Sequence, residues 1–292
     1  MRENILQVLA RGELIIGDGA MGTMLQSKGL PAGTMPELWN AEHPEVVQGI
    51  LQGYLEAGAQ ILTTNTFGGN RLRMRDAGLE ERTRELVRLG AELARQVAAE
   101  RAWVAGSVGP TGQLLEPFGT LSASEAEEVF AEQISALVEG GVDIILVETQ
   151  HDAGEACAAI RAAKAVCQLP VFCTFAFNAK GRTMMGLTPE EAAQRAQEAG
   201  ADVVGANCGD GPAAILAGLE KMKDVAQVPL MAQSNAGVPQ LEEGTTSWDV
   251  TPEQMAEHAK TFVSLGARIV GGCCGTTPAH IAAIAAALKG AS

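Results

Sequence analysis

Short runs of apolar residues alternate along the chain with longer amphipathic stretches. Eight such runs occur, at residues 14–19, 59–67, 103–110, 143–149, 171–178, 202–209, 230–237 and 268–275. Each run is largely continuous in apolar residues, which is typical of a strand buried on both faces, as in a parallel sheet. The pattern therefore predicts eight parallel strands separated by helices.

The stretches between the later runs carry helix start signals. Thr188, Thr251 and Thr277 each precede a proline, so we expect the threonine as the N-cap and the proline as the first helical residue. Gly200 and Gly266 are the expected ends of the first two of these helices. Residues 1–13 also predict an amphipathic helix ahead of the first strand.

Eight strands that are each followed by a helix predict an α/β protein with the fold of a single (β/α)8 TIM barrel. No linker rich in proline and serine divides the chain, so we expect residues 1–292 to form one domain. A doubly wound open sheet is the alternative that eight strands do not exclude. Two connections after strands, residues 109–122 and 237–250, are long enough to predict functional or covering loops.

Composition and charge narrow the class of protein further. The chain has 47% hydrophobic and 19% charged residues, as an ordinary globular protein does. Its formal net charge of −14 disfavours nucleic acid and anionic membranes as partners, because no basic surface neutralises phosphates. Without a signal-peptide pattern or a long apolar segment, we expect a cytoplasmic protein whose six cysteines are reduced thiols or metal ligands.

Three cysteines are predicted to meet at the C-terminal rim of the barrel, where active sites of this fold lie. Cys208 ends the sixth run, and Cys273 and Cys274 end the eighth. Neighbouring side chains on a strand point to opposite faces, so the chain must leave extended geometry for both late cysteines to face one ion. The surrounding glycines provide that freedom, namely Gly271, Gly272 and Gly275.

Three thiolates make a favourable site for Zn²⁺ and leave one tetrahedral position open, which predicts a catalytic rather than a structural metal. Such an electron-rich centre is a poor activator of water. A thiol that arrives as the fourth ligand is deprotonated and remains nucleophilic. The residues themselves therefore predict attack by a zinc-activated substrate thiolate. Buried small side chains or a redox-active vicinal disulfide are the alternatives for the adjacent pair.

The other potential metal ligands fit structural roles better. Core packing is the expected role of the remaining cysteines, which are Cys157, Cys167 and Cys173. None of the four histidines is spaced as a metal ligand, and solvated or structural roles are expected for His43, His151, His258 and His280.

Six motifs resemble the homocysteine S-methyltransferase family, most closely the homocysteine-binding barrel of the cobalamin-dependent methionine synthases. They are "DGAMGT" (18–23), "TNTFGGNR" (64–71), "GSVGPTG" (106–112), "GANCGDGP" (205–212), "SNAGVP" (234–239) and "GGCCGTTPAHI" (271–281). The "NC" and "GGCCG" pair is the most diagnostic. The resemblance implies a barrel in which zinc on Cys208, Cys273 and Cys274 binds L-homocysteine through its sulfur, and a methyl group is added to give methionine.

The resemblance also implies where the substrate amino group binds. Glu148, at the end of the fourth run, matches the family glutamate that contacts this group, and Asp18 matches a pocket residue. Asn235 is a third candidate, since its amide can accept from an ammonium or donate to a carboxylate. Local roles are the alternatives: a helix cap for Glu148, and turn formation for the other two.

Further candidates surround the expected cavity. The backbone N–H groups of Ser107 and Val108 are candidate donors to the substrate carboxylate, and Asn65 is a candidate on the side of the methyl donor.

Three compounds are candidates for the methyl donor. Methylcobalamin supplied by a separate corrinoid protein is favoured by the "DGAMGT" and "GPTG" motifs, and S-methylmethionine is an alternative. Betaine is disfavoured, because Thr149 follows Glu148 where betaine-using relatives carry a tyrosine, although Trp39 and Trp248 would allow a partial cage.

A function of a different class is a thiol-binding or redox-sensing zinc protein without turnover. Asp18 and Glu148 at the same rim favour an enzyme over such a sensor. A barrel lyase is disfavoured because no predicted strand carries an evident Schiff-base lysine: Lys164 falls in a helix and Lys180 in a loop.

Overall fold

Eight parallel strands form a nearly closed barrel in the computed structural model, which describes residues 3–242 and 245–290. The barrel strands are β1 (Ile15–Ile16), β2 (Ile61–Thr63), β3 (Trp103–Val108), β4 (Ile144–Gln150), β5 (Val171–Phe175), β6 (Val203–Cys208), β7 (Leu230–Ser234) and β10 (Ala267–Gly272). Between β7 and β10, β8 (Gln240–Glu242) pairs antiparallel with β9 (Thr245–Ser247). The predicted single (β/α)8 TIM barrel is confirmed, and the open-sheet alternative is wrong.

Helices surround the sheet. They are α1 (Ile5–Ala10), α2 (Gly22–Ser27), α3 (Trp39–Glu42), α4 (Pro44–Glu56), α5 (Arg71–Asp76), α6 (Thr83–Ala98), α7 (Ala123–Glu139), α8 (Ala153–Val166), α9 (Pro189–Ala199), α10 (Pro212–Met222), α11 (Pro252–Ser264) and α12 (Pro278–Leu288), with short 3-10 turns at Pro36–Leu38 and Glu80–Arg82. Thr188 and Thr251 cap α9 and α11 as predicted, each within a capping box. At α12, Nδ1 of His280 accepts from the Thr277 backbone N–H at 3.1 Å.

The barrel interior is filled by alternate strand residues. Its apolar cluster comprises Ile15, Ile61, Trp103, Ala105, Ile144, Leu146, Phe172, Val203, Met231 and Ile269. Ile5, Val8 and Leu9 of α1 belong to the same cluster, so this helix covers the end of the barrel where the strands begin. A second, larger cluster lies between the sheet and the outer helices. The solid interior leaves the opposite, C-terminal end of the strands for a site.

Polar side chains complete the barrel between β1 and β2. Gln60 donates its backbone N–H to Ile16 O at 2.7 Å, and its Oε1 accepts from Ile16 N at 3.0 Å. Two residues after the end of β1, Asp18 Oδ2 accepts from the Thr63 backbone N–H at 2.6 Å, and its Oδ1 accepts from the Thr63 hydroxyl at 2.8 Å. These bonds join the two short strands where regular backbone pairing stops.

Among the residues that the structure describes, no helix combines the length and apolar character needed to cross a bilayer.

Candidate active site

A cavity of about 430 Å³ lies at the C-terminal rim of the barrel. Most of its wall is built from the residues at or just after the ends of β1, β2, β3, β4, β6, β7 and β10. Cys208, Cys273 and Cys274 line it together with Asp18 and Glu148. Residues far apart in sequence therefore line one cavity.

The three cysteines predicted to converge lie side by side. Their Sγ atoms are all within 4.8 Å of one another. Cys208 is the last residue of β6 and has a φ of 58°, a left-handed conformation that is rare for a residue with a side chain. Because β10 ends at Gly272, Cys273 and Cys274 lie in the turn beyond it, where alternation of side chains no longer applies.

The glycines of this turn act in two different ways. Gly275 has a φ of 80°, and a side chain there would also overlap the Trp248 ring. Gly271 and Gly272 instead allow close approach, since added Cβ atoms would overlap Asp18 O and the Thr276 side chain, respectively. The sequence suggested that all three glycines provide conformational freedom. The structure requires that freedom at Gly275, whereas Gly271 and Gly272 are needed for close contacts.

Hydrogen bonds hold the cysteine turn in place. The Cys273 N–H donates to Ser234 O at 2.7 Å, and the Thr276 hydroxyl donates to Cys273 O at 2.7 Å. The buried Tyr54 hydroxyl lies within hydrogen-bond distance of Ala20 O at 2.7 Å and Thr276 O at 3.1 Å. Tyr54 therefore connects the turn after β10 to the turn after β1. Its contribution was not evident from the sequence, because it comes from α4.

Hydrogen bonds among the three thiols shift their pKa values. Hydrogen bonds from Cys273 and Cys274 lower the pKa of Cys208. The same hydrogen bonds to Cys208 raise the pKa of Cys273 and that of Cys274. Without a cation the three sulfur atoms thus favour a single negative charge, so full ionisation requires a positive ion between them.

Two buried carboxyl groups lie beside the thiols. Burial raises the pKa of Asp18 and that of Glu148 to about 7 each, and for Glu148 the charges of Asp18 and Cys208 act in the same direction. Glu148 accepts a hydrogen bond from the Ser107 hydroxyl. This concentration of acidic groups favours a cationic group in the cavity, such as an ammonium.

Asn207 links the carboxyl group to the cysteines. Its Nδ2 atom lies 3.3 Å from Glu148 Oε2, 2.8 Å from the Thr149 hydroxyl and 4.0 Å from Cys273 Sγ. Its Oδ1 accepts from the Thr149 N–H at 2.9 Å and thereby supports the φ of 59° at that residue. The "NC" motif therefore supplies both a cysteine of the cluster and a fully buried amide that orients its neighbours.

Comparison with known proteins assigns the family. The sequence model of the homocysteine S-methyltransferase family matches residues 15–288. The chain belongs to this family. The resemblance inferred from the six motifs is confirmed.

Relatives of this homocysteine S-methyltransferase family member include two mycobacterial proteins named methionine synthase. The chain is 33% identical over 303 residues to that of Mycobacterium tuberculosis, with 98% of this chain and 25% of the relative covered. The Mycobacterium leprae protein gives the same identity and coverage. The chain therefore spans about a quarter of the length of these relatives.

Solved structures of the same family share the fold. The metallated form of the homocysteine methyltransferase MmuM from Escherichia coli is 25% identical, with a TM-score of 0.79 over 96% of this chain and 98% of that one. The oxidized form of MmuM gives a TM-score of 0.80 at the same identity, with 97% of this chain and 99% of that one covered.

Two residues predicted to contact substrate line the cavity but already have protein partners. The Ser107 backbone N–H donates to the Thr64 hydroxyl at 3.0 Å and is not free for a substrate carboxylate. The Asn65 amide donates to Pro36 O at 2.7 Å and to Asn40 Oδ1 at 2.9 Å, which anchors the segment before α3.

Val108 and Asn235 lie outside the cavity lining. Val108 is fully buried in the core between sheet and helices. Asn235 lies behind Cys208: its Nδ2 donates to Gly209 O at 2.8 Å, and its side chain hydrogen-bonds the Cys208 thiol and lowers its pKa. A direct contact of either residue with substrate stays a prediction.

The structure does not bring together the tryptophans considered for a betaine cage. Trp39 is buried and packs on the His43 ring at a centroid distance of 4.6 Å, and Trp248 packs on Gly275. Neither residue lines the cavity.

Glu37 and Arg73 also line the cavity, although no sequence motif pointed to them. Glu37 precedes α3 in a stretch without a recognised motif, and Arg73 lies in α5 beyond "TNTFGGNR". The available signal for Arg73 was its position two residues after the end of the "TNTFGGNR" motif.

Proposed function

We propose that this protein is a zinc-dependent homocysteine S-methyltransferase that forms methionine. The observation that carries the proposal is the convergence of three thiols within 4.8 Å of one another, beside two buried carboxyl groups, in one cavity of a barrel of this family. L-homocysteine is the substrate, and its sulfur binds at Cys208, Cys273 and Cys274.

The thiol cluster fits a zinc ion. Sulfur atoms about 2.3 Å from a tetrahedral ion lie roughly 3.8 Å apart, which is compatible with the observed separations of up to 4.8 Å. Sulfur is also the ligand atom that soft and borderline metals prefer. Zinc held here would keep the homocysteine sulfur as a thiolate at neutral pH.

The surrounding residues orient the substrate. Glu148, with Asp18 nearby, binds the ammonium group, because these buried carboxyl groups gain an opposite charge in a site of low dielectric. Asn207 holds Glu148 relative to Cys273 and so fixes the ammonium with respect to the sulfur. The new carbon–sulfur bond forms as the methyl group leaves its donor, whose bonding electron pair stays with the donor.

Methylcobalamin on a separate corrinoid protein is the proposed methyl donor. The relatives of which this chain spans about a quarter are named methionine synthase. Large apolar side chains are exposed on loops after β3, β5 and β7, namely Leu114, Phe118, Met184, Met185 and Val238. Several of them border a second cavity of about 560 Å³ that shares Phe67, Arg73 and Thr149 with the substrate cavity. We propose this rim as the docking surface for the corrinoid protein.

Cysteine variants test the zinc site. Replacing Cys208, Cys273 or Cys274 by alanine should abolish stoichiometric zinc and methyl transfer together, because two thiolates leave an incomplete site. Cys167→Ala is the matched control, since this half-buried cysteine lies at the end of α8. Metal analysis of the purified, reduced variants decides the matter: full zinc occupancy in Cys208→Ala would contradict a site of three thiolates.

A further inference from the structure

A buried tyrosine joins the two turns that carry an acidic group and the thiol groups of the cavity. Tyr54 lies in α4, and its side chain is fully buried. Its hydroxyl lies 2.7 Å from Ala20 O, in the turn after β1, and 3.1 Å from Thr276 O, in the turn after β10. Burial and the charges of Asp18 and Cys273 raise the pKa of Tyr54, so the hydroxyl keeps its proton and serves as a donor to these carbonyl groups.

Thr276 continues this connection to the cysteines. Its buried hydroxyl donates to Cys273 O at 2.7 Å and accepts from the Ala20 backbone N–H at 3.2 Å. Tyr54, Ala20 and Thr276 therefore form one connected set of hydrogen bonds, which we call the tyrosine clasp. The clasp ends at the backbone of a cysteine in the thiol cluster.

Small residues allow the tyrosine ring to occupy this position. At Gly19, a Cβ atom would lie 2.7 Å from Tyr54 Cε1 and 2.6 Å from Thr276 Oγ1, so the turn after β1 closes directly over the clasp. At Gly53, next to Tyr54 in α4, a Cβ atom would come within 3.3 Å of Pro278, the first residue of α12. Because α4 packs this closely on both turns, the ring has little room to move.

The turn that carries Cys273 and Cys274 is tied to β7 on its other side. The Cys273 N–H donates to Ser234 O at 2.7 Å, and the Ala236 N–H donates to Cys274 O at 2.9 Å. The clasp supplies hydrogen bonds on the side of β1. Thiolates repel one another before a cation binds between them, so a turn that is fixed from both sides favours the arrangement that holds a metal ion.

We propose that the tyrosine clasp positions the metal site: Tyr54 holds the turn that carries Cys273 and Cys274 in the arrangement that binds zinc. This inference rests on the proposed function for the identity of the ion. Tyr54 does not line the substrate cavity, so it acts through the backbone of the turn and is a positioning residue.

The zinc affinity of Tyr54→Phe tests the clasp, because this variant keeps the packed ring and removes the hydroxyl. We expect it to bind zinc about 10- to 100-fold more weakly than the wild type in competition with a chromophoric chelator, as when an outer partner of a metal ligand is lost. The absorption bands of the reduced, cobalt-substituted protein should also shift, since they report the arrangement of the sulfur ligands. Thr83→Val is the matched control: it removes a buried hydroxyl that donates to a carbonyl at 2.7 Å, at the start of α6.

Unfolding measurements separate positioning from a general loss of structure. In urea, the zinc-free forms of both variants should be less stable than the wild type, whereas zinc affinity and the cobalt spectrum should change in Tyr54→Phe alone. Wild-type zinc affinity and an unchanged cobalt spectrum in Tyr54→Phe would overturn the proposal, as would an equal loss of zinc affinity in Thr83→Val.

A second variant covers the case in which Tyr54→Phe does not fold. Thr276→Val removes the hydroxyl that links the clasp to Cys273 O, and the same two results are expected from it. Wild-type zinc affinity in Thr276→Val would then overturn the proposal. Failure of the wild-type protein to bind zinc would instead overturn the proposed function.

Discussion

At the residue scale, the cysteines could be predicted from sequence but their neighbours only in part. Adjacent Cys273 and Cys274, with glycines around them and Cys208 at a matching strand end, limit the possible chemistry to a few cases. Glu148 is recognisable as the acidic end of a strand. By contrast, the hydrogen bond from Ser107 N–H to the Thr64 hydroxyl depends on how β2 and β3 align, which no single motif reveals.

Glu148→Gln tests the role of charge in substrate binding. The variant keeps the size of the side chain but removes the anion, so homocysteine should bind about 10- to 1,000-fold more weakly, as when a buried charge loses its partner. Zinc content should stay at the wild-type level, because the proposed metal ligands are the three clustered cysteines and Glu148 is not one of them. Titration calorimetry and metal analysis check both points. Glu13→Gln, on the exposed surface, is the control variant. Unchanged homocysteine affinity in Glu148→Gln would show that the ammonium group binds elsewhere.

At the scale of elements, the strands and capped helices follow local signals, whereas the barrel seam does not. Thr188 and Thr251 cap their helices as the sequence predicts. β1 and β2 are shorter than their apolar runs, because side chains of Gln60 and Asp18 replace part of the ladder. These side-chain hydrogen bonds form only after both strand ends have come together in the fold. The periodicity of apolar residues in the sequence therefore carries no information about them.

Asp18→Asn tests the seam through its pH dependence. Burial raises the pKa of Asp18 from 3.8 to about 7. Since the folded-state pKa exceeds the unfolded-state value, its stabilising contribution is present below about pH 4 and is lost as the pH rises through about 7. In the wild type, this titration should change the free energy of unfolding by up to roughly 4 kcal/mol between low and neutral pH, and Asp18→Asn should lack that change.

Urea unfolding of the zinc-free protein between about pH 5 and about pH 8 measures this change. The variant should be less stable at low pH by about 1–3 kcal/mol, because Thr63 loses an acceptor, yet its stability should vary less with pH. Asp76→Asn, at an exposed helix position, provides the matched control. An equal pH slope in wild type and Asp18→Asn would contradict the assignment.

At the scale of the whole molecule, exposed apolar residues and the substrate cavity occupy the same end of the barrel. Phe118 is 75% exposed and Met184 is 81% exposed, on loops after β3 and β5. The sequence predicted a functional loop at residues 109–122 but not the one that carries Met184. Exposure of side chains depends on loop conformation, which composition does not determine. A surface of this kind on an acidic protein favours a protein partner.

Charged substitutions test this docking surface. Phe118→Glu and Met184→Glu should raise the KM for the methylated cobalamin-binding domain of a methionine synthase by about 10-fold or more, since burial of large apolar side chains dominates interface energy. Methyl transfer from free methylcobalamin should be unchanged. Ala286→Glu, near the end of α12 at the opposite end of the barrel, controls for added charge. An equal loss with free methylcobalamin would place the defect inside the site and contradict docking.

The most direct test of the account is zinc-edge X-ray absorption on the reduced, zinc-loaded protein with and without L-homocysteine. We expect three sulfur ligands and one light atom in the free protein, and four sulfur ligands once homocysteine is bound. A metal shell that does not change with homocysteine, or that contains fewer than three sulfur atoms, would contradict the claim that these cysteines present the substrate thiolate for methyl transfer.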